Sequence, residues 1–136
     1  MIRLTEEMFS TGKPFAQGEV LIWMKKYAPK DILNLLGKGK FSQMKLEHDK
    51  MILGHSETGH YHVLEPVDRT VHISKAAQAL IDQTNDTIVD LKIFQDCQLV
   101  HMRQNDTHKG AILPAGEYIR GLREEQTPEG WRRVQD

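Results

Sequence analysis

With 136 residues, 39% of them hydrophobic and 27% charged, the chain has the size and balance of one folded domain. No apolar run approaches the roughly 20 residues of a membrane helix, so no membrane partner is expected. The N-terminal Met1-Ile2-Arg3-Leu4-Thr5-Glu6-Glu7 does not read as a signal peptide, and a single cysteine, Cys97, excludes an internal disulfide and any Cys-x-x-Cys motif; both predict a cytoplasmic protein. The net charge of −1 offers no global attraction for nucleic acid. Seven lysines fall between Lys25 and Lys50, but no aromatic or glycine pattern accompanies them, so this stretch reads as a solvated surface.

Residues 1–17 show no sustained period and end in the loop-like Ser10-Thr11-Gly12-Lys13-Pro14, which predicts an N-terminal arm or extra strand ahead of a single domain over 18–136. Gly18-Glu19-Val20-Leu21-Ile22-Trp23-Met24 reads as a buried strand. Asp31 to Leu36, between Pro29 and Gly37, fits a two-turn helix. Gly37-Lys38-Gly39-Lys40 lacks the spacing and the hydroxyl residue of a phosphate-binding loop. Strands are predicted over 51–53 and 59–64, closed by Pro66, and again over 70–73; the alanine-rich stretch 74–81, opened by Ser74, predicts a helix. Residues 87–94 and 98–103 read as an antiparallel pair across 95–97, residues 111–120 as a strand broken by Pro114-Ala115-Gly116, and Thr127-Pro128-Glu129 as the start of a short terminal helical turn. About six short strands with one to three short helices predict a mostly β fold, a small antiparallel barrel or sandwich.

Chemistry concentrates in the histidines. Four of the seven, His48, His55, His60 and His62, lie within fifteen residues. Residues two apart on a strand share a face, with Cα atoms about 6.6 Å apart, so His60 and His62 can converge on one ion. Imidazole suits zinc, iron, nickel and copper, and a catalytic site commonly has three protein ligands and an open position for water. The third ligand is expected from His101 or His108, with Glu57 or Glu65 as a fourth ligand or general base acting on a metal-bound water. Zinc leads the expected cofactors, with iron or manganese behind it. His48, His55 and His72 read as ordinary surface histidines, and Cys97 and Ser56 lack any nucleophile signature.

Gly18-Glu19-Val20-Leu21, Glu57-Thr58-Gly59-His60-Tyr61-His62, His101 with His108, Leu113-Pro114-Ala115-Gly116-Glu117-Tyr118 and the segment from Thr127 to Asp136 together resemble the pattern of a family of small proteins encoded by bacteria and tailed phages. The family runs Gly-Asp-Val-Leu, Gly-Glu-x-Thr-Gly-His-x-His, His-x-x-His, Leu-Pro-x-Gly-x-Tyr and Pro-Glu-x-x-Arg-x-Val-x-Asp. The likeness covers most of residues 18–136 and departs at His101 and His108, which stand farther apart than the family's pair. It implies a bacterial or phage accessory protein with a non-random His-x-His and implies no particular activity. His60-x-His62 with the later Pro114-x-Gly116 also resembles a cupin's metal strand, as an analogy of fold alone.

Two functions follow as expectations. One is a metal-dependent site for hydrolysis or small-molecule binding. The other is a non-enzymatic structural or host-interaction module whose partner is a protein or a second copy of the chain, because small β domains often protect their sheet edges by association.

Overall fold

The computed structural model describes residues 1–37, 41–43, 46, 50–55, 61–81, 87–103, 106–127 and 130–133; side chains are described for these residues apart from 55, 81, 102–103, 106–109, 124–127 and 130–133. Two five-stranded sheets face each other as a mostly β sandwich that does not close into a barrel. The first sheet has the order β1(Ile2–Arg3), β9(Asp106–Leu113), β8(Cys97–Arg103), β5(Tyr61–Pro66), β4(Met51–His55). The second has the order β2(Phe15–Gln17), β3(Val20–Met24), β10(Gly116–Leu122), β7(Ile88–Ile93), β6(Ala77–Ile81). A separate hairpin joins β11(Glu124–Thr127) to β12(Gly130–Arg133). Among the described residues no helix is long and apolar enough to cross a membrane.

The strand alternation comes from the apolar period. In β3, Val20 and Ile22 enter the core between the sheets, while Leu21 and Trp23 point the other way. That outer side is covered by Ile32 and Leu33 of α2(Lys30–Leu33) together with Leu36, which pack on Trp23, Ile88 and Ile119. Hence the strand reads as a continuous apolar run: it is buried on both faces. The main core takes Leu64 from β5, Leu91 from β7, Cys97 and Leu99 from β8, Leu113 from β9 and Tyr118 from β10. Burial pushes the Cys97 thiol and the Tyr118 phenol each up to about 12.

The chain alternates between sheets by hairpins. β2 and β3 pair in the second sheet, β4 and β5 in the first, β6 and β7 in the second again, and β8 and β9 in the first. The expected strands over 18–24, 51–53, 59–64, 87–94 and 98–103 therefore match β3, β4, β5, β7 and β8. Their pairing differs from expectation. β7 and β8 are not partners: the chain changes sheet at Phe94-Gln95-Asp96, where Phe94 N donates to Ala76 O and Val67 N donates to Asp96 O. The same happens at Pro114-Ala115, so residues 111–120 belong to β9 and β10 in different sheets, and the Tyr118 hydroxyl clasps the corner by donating to Pro114 O at 2.6 Å.

Three more expectations are corrected. Residues 70–72 form no strand; the chain turns there into α3(Ile73–Ala76). The helix expected over 74–81 stops at Ala76, and Ala77–Ile81 is β6, paired with β7 from Ala77↔Ile93 to Ile81↔Val89. Alanine favours helix in isolation, but Ala77 and Ala79 are fully buried against β7, and the pairing outweighs propensity. The terminal helical turn is replaced by the β11–β12 hairpin; Thr-Pro-Glu is as much a turn sequence as a helix start, and residues 128 and 129 lie outside the described ones. At the other terminus, β1 joins β9 in parallel, β2 joins β3, and between them Thr5 caps α1(Glu6–Phe9).

Candidate functional site

His62 is fully buried and faces the space between the sheets, on the same side of β5 as core residue Leu64. Its direct partner on β8 is His101, also buried, and the two rings stack with centroids 4.1 Å apart and planes 10° apart. The partner of His101 on β9 is His108, and the partner of His62 on β4 is Gly54. Thus His108, His101, His62 and Gly54 form one row across four adjacent strands.

Two irregularities create that row. Between Leu99 and His101 β8 has one residue, whereas β9 has two between Ala111 and His108, so the bulge sets His108 rather than Lys109 opposite His101. On the other flank β4 has an additional residue between Ile52 and Gly54, which sets Gly54 rather than Leu53 opposite His62. Bulges re-aim side chains and gather beside functional sites. Gly54 is required there: a Cβ would lie 2.9 Å from Val20 Cγ2 and 3.2 Å from Glu19 Oε1, with His62 Cδ2 at 3.5 Å. Without a side chain on β4, the Glu19 carboxylate reaches over that strand toward His62.

The opposite sheet supplies the rest. Gln17, at the end of β2, accepts a hydrogen bond from His62 Nδ1 through Oε1 at 2.9 Å and donates from Nε2 to Leu99 O at 3.3 Å. Because its Nε2 is committed as a donor, Gln17 presents Oε1 as an acceptor, and this assigns the Nδ1 proton to His62. In the neutral ring Nε2 then holds the lone pair. Glu19 is buried at the β2–β3 turn, where its carbonyl accepts from Arg123 N, and Arg120 is buried on β10 opposite the core residues Ile22 and Val89. The interior at this end thus holds a carboxylate, an amide, a guanidinium and two imidazoles.

Of the ligands expected from sequence, the structure brings His62 and His101 into contact and pairs His108 with His101 along the backbone. His60 and Glu57 lie outside the described residues. Glu65 is not brought to the row. It lies an odd number of residues from His62, hence on the other face of β5, where it accepts from Gln98 Nε2 at 3.0 Å and faces Lys50 Nζ at 3.8 Å. The stacked rings also set a condition on metal binding. Their in-plane lone pairs run side by side rather than converging, so one ring must turn before both can serve one ion. Among the described residues no three His, Cys, Asp or Glu side chains are gathered as ligands.

Sequence reasoning missed Gln17 and Glu19. A signal existed for Glu19, since an acidic residue occupies the same place in the Gly-Asp-Val-Leu pattern that Gly18-Glu19-Val20-Leu21 resembles. Gln17 had none: a lone amide before a turn says nothing of a histidine partner far along the chain. No family model matches the chain, and neither a curated protein nor a solved structure does.

Proposed function

We propose that this is a bacterial or phage accessory protein of the cytoplasm whose sandwich carries a divalent-metal site built on the His-x-His strand β5. The observation that carries this reading is the histidine row with a bulge on each flank. His62 supplies Nε2, its ring oriented by Gln17 as outer partners orient metal-bound histidines. His60, two residues earlier, is its companion ligand; His108 or His101 completes the set. Zinc fits such a nitrogen-rich set, with iron or manganese as alternatives. A bound ion would lower the pKa of a water or polarise a substrate carbonyl, which suits hydrolysis or small-molecule binding. Glu19, beside His62 and Gly54, is placed to accept a proton in that chemistry; Glu57 is the other candidate base.

Elemental analysis of untagged protein tests this against His60→Ala/His62→Ala, with circular dichroism to verify that the variant folds, and His60→Ala alone where the double variant does not. Near-stoichiometric metal in the wild type and loss in the variant is the expected result, with a lower melting temperature of the wild type in chelator. Metal-free wild type, grown with zinc, iron and manganese supplied, rejects it.

A second reading has its own observation. Met1, Ile2 and Met8 are exposed apolar side chains, and Ile2 and Met8 border a groove of about 250 Å3 with Leu4, Phe9 and Phe15. This favours an oligomeric structural or host-interaction module that associates through its N-terminal segment. Light scattering after size exclusion is expected to give a multiple of 15.7 kDa that falls toward it in Ile2→Ser/Met8→Ser; a wild-type monomer removes the reading.

A further inference from the structure

The end of β5 farther from His62 carries a separate groove of about 510 Å3, within the range of small-molecule sites. Two cations line it, Lys50 just before β4 and Arg69 in the β5–α3 connection. His72 adds a third donor. Its Nδ1 accepts from Ser74 N at 3.3 Å and lies 2.6 Å from Ser74 Oγ, so the ring proton sits on Nε2.

Among the described residues the acidic groups near the groove leave the Arg69 charge without an ion-pair partner. Glu65, the one carboxylate among the described residues of the lining, is engaged by Gln98 and Lys50. Asp68, next to Arg69, folds back to accept from Thr70 N at 3.0 Å and Thr70 Oγ1 at 2.7 Å and does not line the groove. Arg69 is exposed and has no ion-pair partner among the described residues. The remaining described lining is Thr70 and an apolar wall of Pro66, Val71 and Ile73.

We propose that this groove binds a small phosphate monoester, its phosphoryl oxygens held by the Arg69 guanidinium with Lys50 and His72 Nε2–H, and its organic body laid on Pro66, Val71 and Ile73. A planar guanidinium presents paired N–H groups that match two phosphoryl oxygens, and the apolar wall gives preference to an ester over the bare ion. The site is separate from the histidine row and stands whatever that row binds.

The test is an amide-resonance titration of the full chain at low ionic strength with phenyl phosphate, inorganic phosphate and phenol, repeated with Arg69→Gln. Arg69 is exposed, so its replacement leaves the core intact. Saturable shifts confined to the groove with phenyl phosphate, weaker ones with inorganic phosphate, and an affinity about tenfold or more lower in Arg69→Gln are expected, the loss of a charge-assisted hydrogen bond. No shift in residues 65–73, or shifts that Arg69→Gln leaves unchanged, overturns the proposal. Phenol binding as well as phenyl phosphate reduces the groove to an apolar patch and rejects anion recognition; inorganic phosphate binding as well as the ester rejects the role of the apolar wall.

Discussion

Gly54 is where packing and site meet. Gly54→Ala places a methyl 2.9 Å from Val20 Cγ2 and against the Glu19 carboxylate, so β4 or β3 must move. Overpacking of this kind costs about 1–3 kcal/mol, which urea unfolding measures, and Val20→Ala in the same chain is expected to recover part of it. An unchanged midpoint with Gly54→Ala would mean that the strands have slack at the row. The histidines were legible as a cluster because four fall close together in sequence. Which of them turn inward was not: the row depends on two single-residue bulges, and a shift of one residue moves a side chain to the other face or gives it another partner. Glu65, three residues after His62, has the odd spacing that sends it to the opposite face of β5.

The connections between sheets are held by few residues. Asp96 stands at one of them, accepting from Arg3 Nη2 at 2.9 Å through Oδ2 and from Ala115 N at 3.1 Å through Oδ1, and so ties β1, the β7–β8 connection and the β9–β10 corner together. The Arg3 guanidinium, and then the Ala115 amide, hold its carboxyl below the usual value. A lowered native pKa means that the unfolded state binds the proton more readily. The stabilisation is therefore present above the unfolded value near 3.9 and fades as pH falls through the native one. Asp96→Asn is expected to lower the melting temperature at neutral pH and to converge with wild type as the pH falls through the lowered native value; a difference that persists undiminished in acid would assign the effect to packing rather than charge. Solvent screens the exposed Arg3–Asp96 pair, so its contribution to stability is small. Elements with a clear period, such as β3 and β7, were legible in isolation. The stretch 74–81 was not, because only the presence of β7 turns an alanine-rich segment into a strand.

For the molecule, the sequence supported a mostly β sandwich or barrel, and the two-sheet sandwich is what forms. Its topology was hidden because apolar alternation marks a strand but not its sheet: β7 and β8 read as a hairpin, and the pattern alone cannot separate a turn from a crossing to the facing sheet. Once the crossings are known, the two proposed sites separate by location. The β2–β3 turn and the strands β4 and β5 meet around Gln17, Glu19, Gly54 and His62, whereas the groove of Lys50, Arg69 and His72 lies by the β5–β6 crossing. Metal and phosphate ester are expected to bind without competing.

The pairing of both N-terminal strands with late ones also dictates an order of assembly. Ile2 pairs with Ala111 and Val20 with Leu122, partners roughly a hundred residues apart, and contacts so distant form slowly. During synthesis β1 and β3 have no neighbours from β9 and β10 until residues 106–122 have left the ribosome. In that interval the apolar Val20-Leu21-Ile22-Trp23-Met24 is a bare strand edge, the segment through which nascent chains would first stick to one another.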